Sequence, residues 1–541
     1  MSSHPYVSSD RRLDLFALAA IAAFFALAWL LVAPNADVPV IDDWVYAWSV
    51  QHLVETGRLQ VLEFSAVYPV TQIAWGALFV LVAGFSFVTL RLSTVVLSVF
   101  GCCAVYLTLR ELGCRRSTSL LGAFALACDP VFFALSFSFM TDVPFVNVSA
   151  IAALFYVGAI KRGQWSRLWI AGLFSIAAFL IRPIGIALPL VVVPALILRR
   201  DWRDGLARAL LPLGVSLAVM AVLQVAIPRA LGPLDWAAIR TNQLQWVFSI
   251  SLRTYAVWTI RVVLESVFPF APLLLGSLAR WRRAAIVAVI ALLLVVPMQR
   301  ARGEILTPLP DWQTWSLQHI GARSLIAGDA TSSAWSARVM PALRGLGLVT
   351  LAALLVLGAR GLFGSFRWGR GEFVLIVYAL LLLGATHVLW LYNDRYYLVF
   401  APVLAVIAAA ALDHDTRAQW VAGMLLVVWA AIAITGTRDL LGFNDACAAE
   451  VRRLEASGVA PYDIDAGYPL NGWRLYAHPE QLPAGADRRY DVPFVTSDRS
   501  ARFVIVSHPP PGADVIRVVP LPRATWQATH ELYVVRRRSK N

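Results

Sequence analysis

The chain has few charged residues for its length. Asp, Glu, Lys and Arg make up 15% of its 541 residues, and hydrophobic residues make up 59%. A soluble domain carries about 25% charged and about 45–50% apolar residues. The apolar excess lies in repeated runs of roughly 20 residues, the length that crosses a bilayer core. The composition therefore excludes an ordinary soluble protein and indicates an integral membrane protein with many spans.

Cysteine is also scarce, and the chain has no cluster of His or Cys residues. Its five cysteines lack the spacing of a metal site, and four of them lie in or beside predicted spans. We therefore expect neither a disulfide framework nor a cysteine-based metal centre. These residues are Cys102, Cys103, Cys114, Cys128 and Cys447.

The net charge of +13 reflects membrane topology. Lys and Arg are concentrated in short links between apolar runs, as in the cytoplasmic loops of membrane proteins. No single basic patch stands out, so we expect no nucleic-acid partner. The first apolar run follows Arg11 and Arg12 and is too long for a signal-peptide core, which predicts an uncleaved anchor with a cytoplasmic N-terminus.

Fourteen apolar runs could cross the membrane, but the distribution of basic residues argues against one of them. If all fourteen crossed, three consecutive basic links would face outside, contrary to the positive-inside rule. We therefore predict that 69–88 is a juxtamembrane or re-entrant segment and that about thirteen spans remain. The runs are 13–33, 69–88, 91–109, 118–137, 144–160, 168–181, 183–198, 207–227, 256–277, 284–299, 339–359, 372–391, 396–412 and 418–435.

This arrangement places the longer connections on the outer face. They include the first outer loop (34–68), the loops 228–255 and 300–337, and everything after residue 435. The tail contains β-rich pieces and no run long enough to span, so we predict a transmembrane module (1–435) followed by a small extracytoplasmic α/β domain (436–541). Since binding and catalytic residues are often carried on loops, we expect the chemistry on the outer face.

Two adjacent carboxylates, Asp42 and Asp43, lie in the first outer loop close to the membrane. Asp is favoured at helix N-termini, so capping would account for one of them. It does not account for a pair at a membrane, where ionisable groups are costly and mark functional sites. The spacing of Trp44, Ala47 and Trp48 predicts an interfacial helix with its indoles at headgroup depth.

The order of several motifs resembles the membrane glycosyltransferases of the GT-C fold. The closest similarity is to the branch of the aminoarabinose (lipid A) transferases and, more distantly, the protein O-mannosyltransferases. It covers roughly residues 10–200 and the turn at 393–397, with Asp43 standing where the family carries Glu. The motifs are Asp42-Asp43-Trp44-Val45-Tyr46-Ala47, Tyr68-Pro69, Gly84-Phe85-Ser86, Arg91-Leu92, Ser138-Phe139-Met140-Thr141-Asp142-Val143-Pro144 and Asn393-Asp394-Arg395-Tyr396-Tyr397.

The resemblance implies an all-α polytopic fold and transfer of a sugar, with inversion, from a polyprenyl-phosphate donor on the outer face of the cell membrane. By position it implies that Asp42 is the general base, Asp43 its partner and Asp142 a second outer acid. It also implies that Arg182 contacts the lipid-linked phosphate. Two further residues of the 393–397 turn and one of the first outer loop are candidate substrate-binding residues, namely Arg395, Tyr396 and Tyr68.

Structural alternatives remain open for three of these residues. Asp142 could cap a helix before Pro144, Arg182 could extend its charge to the bilayer edge, and Arg395 could anchor a Tyr-rich turn by a cation–π contact. The three acids could share a divalent cation through oxygen ligands, but the resembled branch does not generally require one. We expect no cofactor.

Two other functions fit a polytopic chain with a few buried charges. One is a transporter or lipid flippase, although we find no internal repeat and the acids lie at one face instead of the midplane. The other is an O-antigen ligase or polymerase, which also uses lipid-linked sugars. The sequence identifies neither the sugar nor the acceptor, which could be a lipid, a polysaccharide or a protein.

Overall fold

The computed structural model describes residues 9–197, 202–235, 266–278, 370–386, 394–492, 501–507, 511–521 and 531–537, together with a few isolated positions. The described part is mostly helical, with a small sheet near its C-terminus. Its helices are α1 (Ser9–Val32), α2 (Asp43–Thr56), α3 (Val70–Ala83), α4 (Phe87–Leu112), α5 (Arg116–Ala127), α6 (Pro130–Ser136), α7 (Asp142–Arg162), α8 (Arg167–Phe179), α9 (Ala187–Leu190), α10 (Val192–Ile197), α11 (Trp202–Leu231), α12 (Ala271–Leu278), α13 (Arg370–Thr386), α14 (Ala401–Ala410), α15 (Thr416–Ala456), α16 (Tyr468–Asn471) and α17 (Arg488–Asp491).

Several of these helices can span a membrane. Five are long and apolar enough, and a sixth span results if α5 and α6, which meet at 67°, are counted as one broken span. These helices agree with the prediction of a multi-pass membrane protein. The number of about thirteen spans stays a prediction, since the apolar run 284–299 and most of 339–359 lie outside the described residues.

The centre of the bundle is the contact between α4 and α7. Gly101 of α4 lies against Asn147 of α7, and a Cβ atom at position 101 would be 1.9 Å from the Asn147 Oδ1 atom. Only glycine at position 101 leaves room for the Asn147 side chain, and small residues of this kind are common where membrane helices pack together. Asn147 is fully buried and donates a hydrogen bond to Ser98 Oγ at 3.3 Å, so the two helices are also joined by a polar contact.

Basic residues gather at one end of this bundle. Asp14 near the start of α1 pairs with Arg110 at 3.2 Å and with Arg116 at 3.1 Å. At the same end, Glu111 at the C-terminus of α4 pairs with Arg162 at 2.5 Å and with Arg167 at 2.9 Å. The opposite end of the same helices carries the N-terminus of α7 and the segment after α8.

The segment 69–88 contains one short helix. α3 has 14 residues, which corresponds to a length of about 21 Å, less than the hydrocarbon core of about 30 Å. It ends at Gly84, whose φ of +81° lies in a region that favours glycine. This length supports a juxtamembrane or re-entrant placement, which stays a prediction.

Helix α15 connects the bundle to the C-terminal domain. Asp415 caps it by accepting a hydrogen bond from the Ala418 N–H at 2.9 Å, and the helix continues for 41 residues to Ala456. No proline interrupts this stretch, so the helix can pass without a break from an apolar to a mixed sequence. The predicted boundary between residues 435 and 436 therefore falls inside α15.

The described part of the C-terminal domain contains a small sheet, in agreement with the predicted β-rich pieces. The four strands in this part of the chain lie in the order β1-β2-β4-β3, with β1 parallel to β2 and the other pairs antiparallel. Apolar residues of β2 and β4 pack on Cys447 and Val451 of α15. The strands are β1 (Ile464–Asp465), β2 (Phe503–Val506), β3 (Asp514–Pro520) and β4 (Glu531–Arg536).

The predicted interfacial position of Trp44 is wrong. Its side chain is fully buried and packs against Phe64, Tyr468 and Tyr476, with ring centroids 5.3, 6.1 and 5.7 Å away. Two of these partners belong to the C-terminal domain. The spacing of Trp44 and Trp48 identified an apolar helix face, but the domain, and not lipid headgroups, covers Trp44.

The close approach of α4 and α7 predicts the effect of Gly101→Ala. The added methyl group must displace Asn147, and we expect this overpacking to cost about 1–3 kcal/mol. Gly214→Ala in α11 is the matched control, because a Cβ at that position has no neighbour within 4 Å. Thermal unfolding of the detergent-solubilised protein should show a lower midpoint for Gly101→Ala and an equal or higher one for Gly214→Ala. Equal midpoints would contradict the packing described here.

Candidate functional site

Asp42 lies at the N-cap position of α2, but its side chain does not cap the helix. Its Oδ2 atom instead accepts a hydrogen bond from Arg395 Nη2 at 3.0 Å. The Asp42 side chain is 23% exposed and that of Arg395 is 10% exposed. Capping therefore does not account for this carboxylate, which is turned towards a residue 353 positions later in the chain.

Asp43 faces a different set of groups. It is fully buried, and its Oδ1 atom accepts a hydrogen bond from the Val40 N–H at 2.8 Å. Burial raises the pKa of Asp43 to about 7, although the nearby Arg91 guanidinium and the backbone groups of Val40 and Phe139 oppose this rise. Arg91 is also buried and donates to the carbonyl groups of Ala36 and Val38.

The turn that Asp43 closes is strained. Ile41 has a φ of +56°, which is unusual for a β-branched residue. Such a conformation costs roughly 1–3 kcal/mol and persists only where the surrounding contacts hold it. The hydrogen bond between Asp43 and Val40 spans this residue and fixes the direction in which Asp42 leaves the turn. The predicted catalytic role of Asp43 stays a prediction, and its contacts support a role in shaping the turn.

Asp142 and two arginines form the other half of the cluster. Asp142, the first residue of α7, lies 2.8 Å from Arg182 Nη2 through Oδ1 and 3.8 Å from Arg395 Nε through Oδ2. Arg182 follows α8 and also donates to Thr141 Oγ1 at 3.0 and 2.8 Å. Its side chain is 16% exposed. These partners show that Arg182 is directed into the protein, and not out to the bilayer edge.

The Tyr396 ring lies beside both arginines. The guanidinium carbons of Arg182 and Arg395 are 5.8 and 5.9 Å from its centroid. Both distances suit cation–π contacts, which favour Arg over Lys. The anchoring role proposed for Arg395 therefore coexists with its pairing to the two acids. Both guanidinium groups thus lie beside one aromatic ring, and each also pairs with a carboxylate.

Tyr68 contacts the segment that follows α11. Its hydroxyl donates a hydrogen bond to the Gly232 carbonyl at 2.6 Å, just after α11. In the same region the Asp235 N–H donates to the Glu63 carbonyl at 2.9 Å. Together these two contacts join the first outer loop to the segment that begins the predicted loop 228–255. Its proposed contact with substrate stays a prediction.

Two further tyrosines lie in the site, and the sequence analysis predicted neither of them. Tyr46 is buried, and burial raises its pKa; Asp42 raises it further, whereas Arg182 and Arg395 lower it. Tyr46 follows Asp42 by four residues, so helical periodicity could have placed both on one face. The second is Tyr468, which hydrogen-bonds to Asp42 from the C-terminal domain. No local pattern connects residues so far apart in sequence.

The two arginines of the cluster are groups that can bind an anionic ligand. Both of its carboxylates already face a guanidinium group, and arginine binds phosphate in a bidentate manner. Among the residues that the structure describes, no three His, Cys, Asp or Glu side chains are grouped so that they could hold a metal ion. The cluster can bind a phosphate and also presents a carboxylate that can accept a proton.

Residues 69–227 match the family model described as dolichyl-phosphate-mannose-protein mannosyltransferase. The predicted resemblance to this branch of the GT-C glycosyltransferases is confirmed. The matched stretch contains Asp142 and Arg182, and it excludes Asp42 and Arg395. A search of curated protein sequences finds no match.

Solved membrane glycosyltransferases are among the structural neighbours. ArnT from Cupriavidus metallidurans, bound to undecaprenyl phosphate, is 14% identical, with 96% of this chain and 98% of that chain covered and a TM-score of 0.49. The archaeal oligosaccharyltransferase AglB from Archaeoglobus fulgidus, in complex with an inhibitory peptide and a dolichol-phosphate, is 14% identical with a TM-score of 0.41. That comparison covers 79% of this chain and 55% of AglB, so the chain spans about half of AglB.

The paired charges predict a large effect of Asp142→Asn on stability. The substitution removes the partner that two mostly buried arginines share, and breaking such a pair costs about 3 kcal/mol or more. The control is Asp204→Asn, which removes an exposed pair with Arg208 at 2.9 Å; an exposed pair contributes about 0–1 kcal/mol. We expect a clearly lower unfolding midpoint for Asp142→Asn only. Equal losses in the two variants would show that the arginines do not depend on Asp142.

Burial of Asp43 predicts a pH-dependent contribution to stability. The pKa of Asp43 is about 7 in the folded protein, against 3.8 for a free side chain, which represents the unfolded state. Between pH 3.8 and pH 7 the folded state therefore binds more protons than the unfolded state. Its contribution to stability should therefore fall as the pH rises from about 4 to about 7. Asp43→Asn keeps an acceptor for Val40 and cannot ionise.

Unfolding midpoints of the unaltered protein and Asp43→Asn, measured from pH 4.5 to pH 8.5, test this directly. As the pH rises, the unfolding midpoint of Asp43→Asn should increase relative to that of the unaltered protein. A difference that stays constant over this range would mean that Arg91 keeps Asp43 ionised throughout.

Proposed function

We propose that this protein is an integral membrane glycosyltransferase that transfers a sugar, with inversion, from a polyprenyl-phosphate donor to an acceptor on the extracytoplasmic face. The observation that carries the proposal is the cluster of Asp42, Asp142, Arg182 and Arg395, which combines a proton acceptor with cationic groups. The family model matched by residues 69–227 supports the lipid-phosphate donor, because its description names dolichyl-phosphate mannose.

The proposed reaction needs two kinds of group. Asp42 takes the proton from the acceptor hydroxyl as that oxygen attacks C1 of the sugar, and the bond from C1 to the lipid phosphate breaks. Such a general base contributes typically 10²–10⁴-fold to the rate. Arg182 and Arg395 stabilise the negative charge that grows on the departing phosphate, where fixed cationic donors are most effective.

The remaining acids support this arrangement. Asp142 holds both guanidinium groups, at 2.8 and 3.8 Å, and so orients them before the donor arrives. Asp43 maintains the strained turn that directs Asp42, through its hydrogen bond to Val40. Tyr396 provides the aromatic surface between the arginines. We assign these residues to positioning, and we leave Tyr68 as a candidate contact to the substrate.

The proposed topology rests on the two ends of the bundle. The basic links gather at one end, where Asp14 and Glu111 pair with arginines. The positive-inside rule places that end, and the N-terminus, in the cytoplasm. The acid and arginine cluster and the C-terminal domain lie at the other end, so both are extracytoplasmic. Polyprenyl-linked sugars, membrane lipids and an acceptor of unknown class are the expected partners, in the cell membrane.

The role of Asp42 predicts the outcome of a transfer assay. Purified protein in mixed micelles is supplied with polyprenyl-phosphate sugars and candidate lipid, polysaccharide and peptide acceptors. Asp42→Asn should lower the rate of transfer at least 100-fold, as expected for loss of a general base, while binding of the donor is retained. Asp204→Asn, on an exposed pair, should leave the rate unchanged.

Two results would count against this proposal. Transfer that survives Asp42→Asn would remove Asp42 as the base. Movement of labelled lipid across a proteoliposome membrane without formation of a glycosidic bond would instead identify a transporter or flippase.

A further inference from the structure

The C-terminal domain is seated directly on the helix that begins beside Asp42. Trp44 of α2 lies among Phe64, Tyr468 and Tyr476, all with centroids within 6.1 Å. A Cβ atom at Gly472 would be 2.3 Å from Trp44 Cε2, so the domain backbone touches the indole ring. This contact leaves little room for the domain to shift relative to α2.

Tyr468 is projected towards the cluster by a rigid turn. It follows Gly467, whose φ is +84°, a conformation that L side chains rarely adopt. Asp465 accepts hydrogen bonds from the Gly467 N–H at 3.2 Å and from Asn471 Nδ2 at 2.8 Å. Asn471 in turn accepts from the Ala466 N–H at 3.0 Å. The direction of Tyr468 is therefore set by the turn and not by a flexible loop.

The hydroxyl of Tyr468 meets the Asp42 carboxylate. Burial raises the pKa of Tyr468 well above its usual value, and the negative charge of the neighbouring Asp42 raises this pKa further. The phenol therefore keeps its proton and donates it in a hydrogen bond to Asp42. Asp42 also accepts from Arg395 at 3.0 Å. A carboxylate offers about four lone-pair positions. Two fixed donors thus define its orientation and still leave a position for the hydroxyl of an acceptor.

We propose that Tyr468 is a positioning residue for the Asp42 base and that the C-terminal domain thereby completes the candidate active site. The proposal rests on the proposed function. The phenol hydrogen bond holds the carboxylate in one orientation beside Arg395. Undocking the domain would remove this donor, so transfer depends on a domain that lies outside the helical bundle.

Tyr468→Phe tests this proposal, because it removes the hydroxyl and keeps the ring that packs on Trp44. Without this donor, Arg395 alone orients the carboxylate towards the acceptor hydroxyl. We expect kcat to fall about tenfold, as for the loss of one hydrogen bond to a charged group. The KM for the donor lipid should change less than twofold. The rate is counted per molecule that binds donor lipid, so loss of folded protein would not produce this result.

Tyr533→Phe is the matched control. Tyr533 lies in β4 of the same domain, and its hydroxyl donates to Glu531 at 2.6 Å on an exposed surface. This variant removes the same atom and the same kind of hydrogen bond away from the cluster. Its kcat should equal that of the unaltered protein.

The outcomes separate this proposal from the one on which it rests. If the unaltered protein transfers sugar, Asp42→Asn is inactive and the kcat of Tyr468→Phe is unchanged, the role of Tyr468 is overturned and the proposed function stands. If Tyr533→Phe lowers kcat equally, the effect is not specific to the contact with Asp42, and the role is again overturned. Absence of transfer in every assay, or transfer by Asp42→Asn, overturns the proposed function and this inference with it.

Discussion

The cost of burying charge is the constraint on which this structure depends. Asp42, Asp142, Arg182 and Arg395 come from four distant parts of the chain, and three of the four have side chains no more than 16% exposed. An isolated charge would be expensive at such a site, whereas paired and hydrogen-bonded charges are tolerated. The pairing therefore brings together the starts of α2 and α7, the end of α8 and the segment before α14.

The same pairing prepares the cluster for the chemistry we propose. Arginines held by Asp142 need little reorganisation when a phosphate arrives, and catalysis benefits from donors that are oriented in advance. The arrangement also has a cost, because the Ile41 backbone is strained and several ionisable groups are buried. Contacts around the cluster offset that cost: Asp43 closes the turn, Arg91 binds the loop carbonyl groups, and Tyr396 stacks beside both arginines.

The C-terminal domain belongs to the same system of contacts. Helix α15 carries it on an unbroken 41-residue helix, and Trp44 is buried beneath it. At the rim, Arg488 pairs with Glu63 and Arg489 lies 3.2 Å from Asp235, so the domain also holds the first outer loop and the segment after α11. The domain is thus held over the cluster from several sides.

The sequence by itself determined what depends on local pattern. Long apolar runs identified the membrane class, motif order indicated the family, β-rich pieces located three of the four described strands, and Asp42, Asp142, Arg182 and Arg395 stood out one by one. Only the tertiary structure decided that these four side chains meet, that Asp43 faces Arg91, that Trp44 is covered by protein and that Tyr468 reaches Asp42. The physical reason is that periodicity shows which face of a helix is apolar, whereas the partner of that face depends on packing between segments hundreds of residues apart.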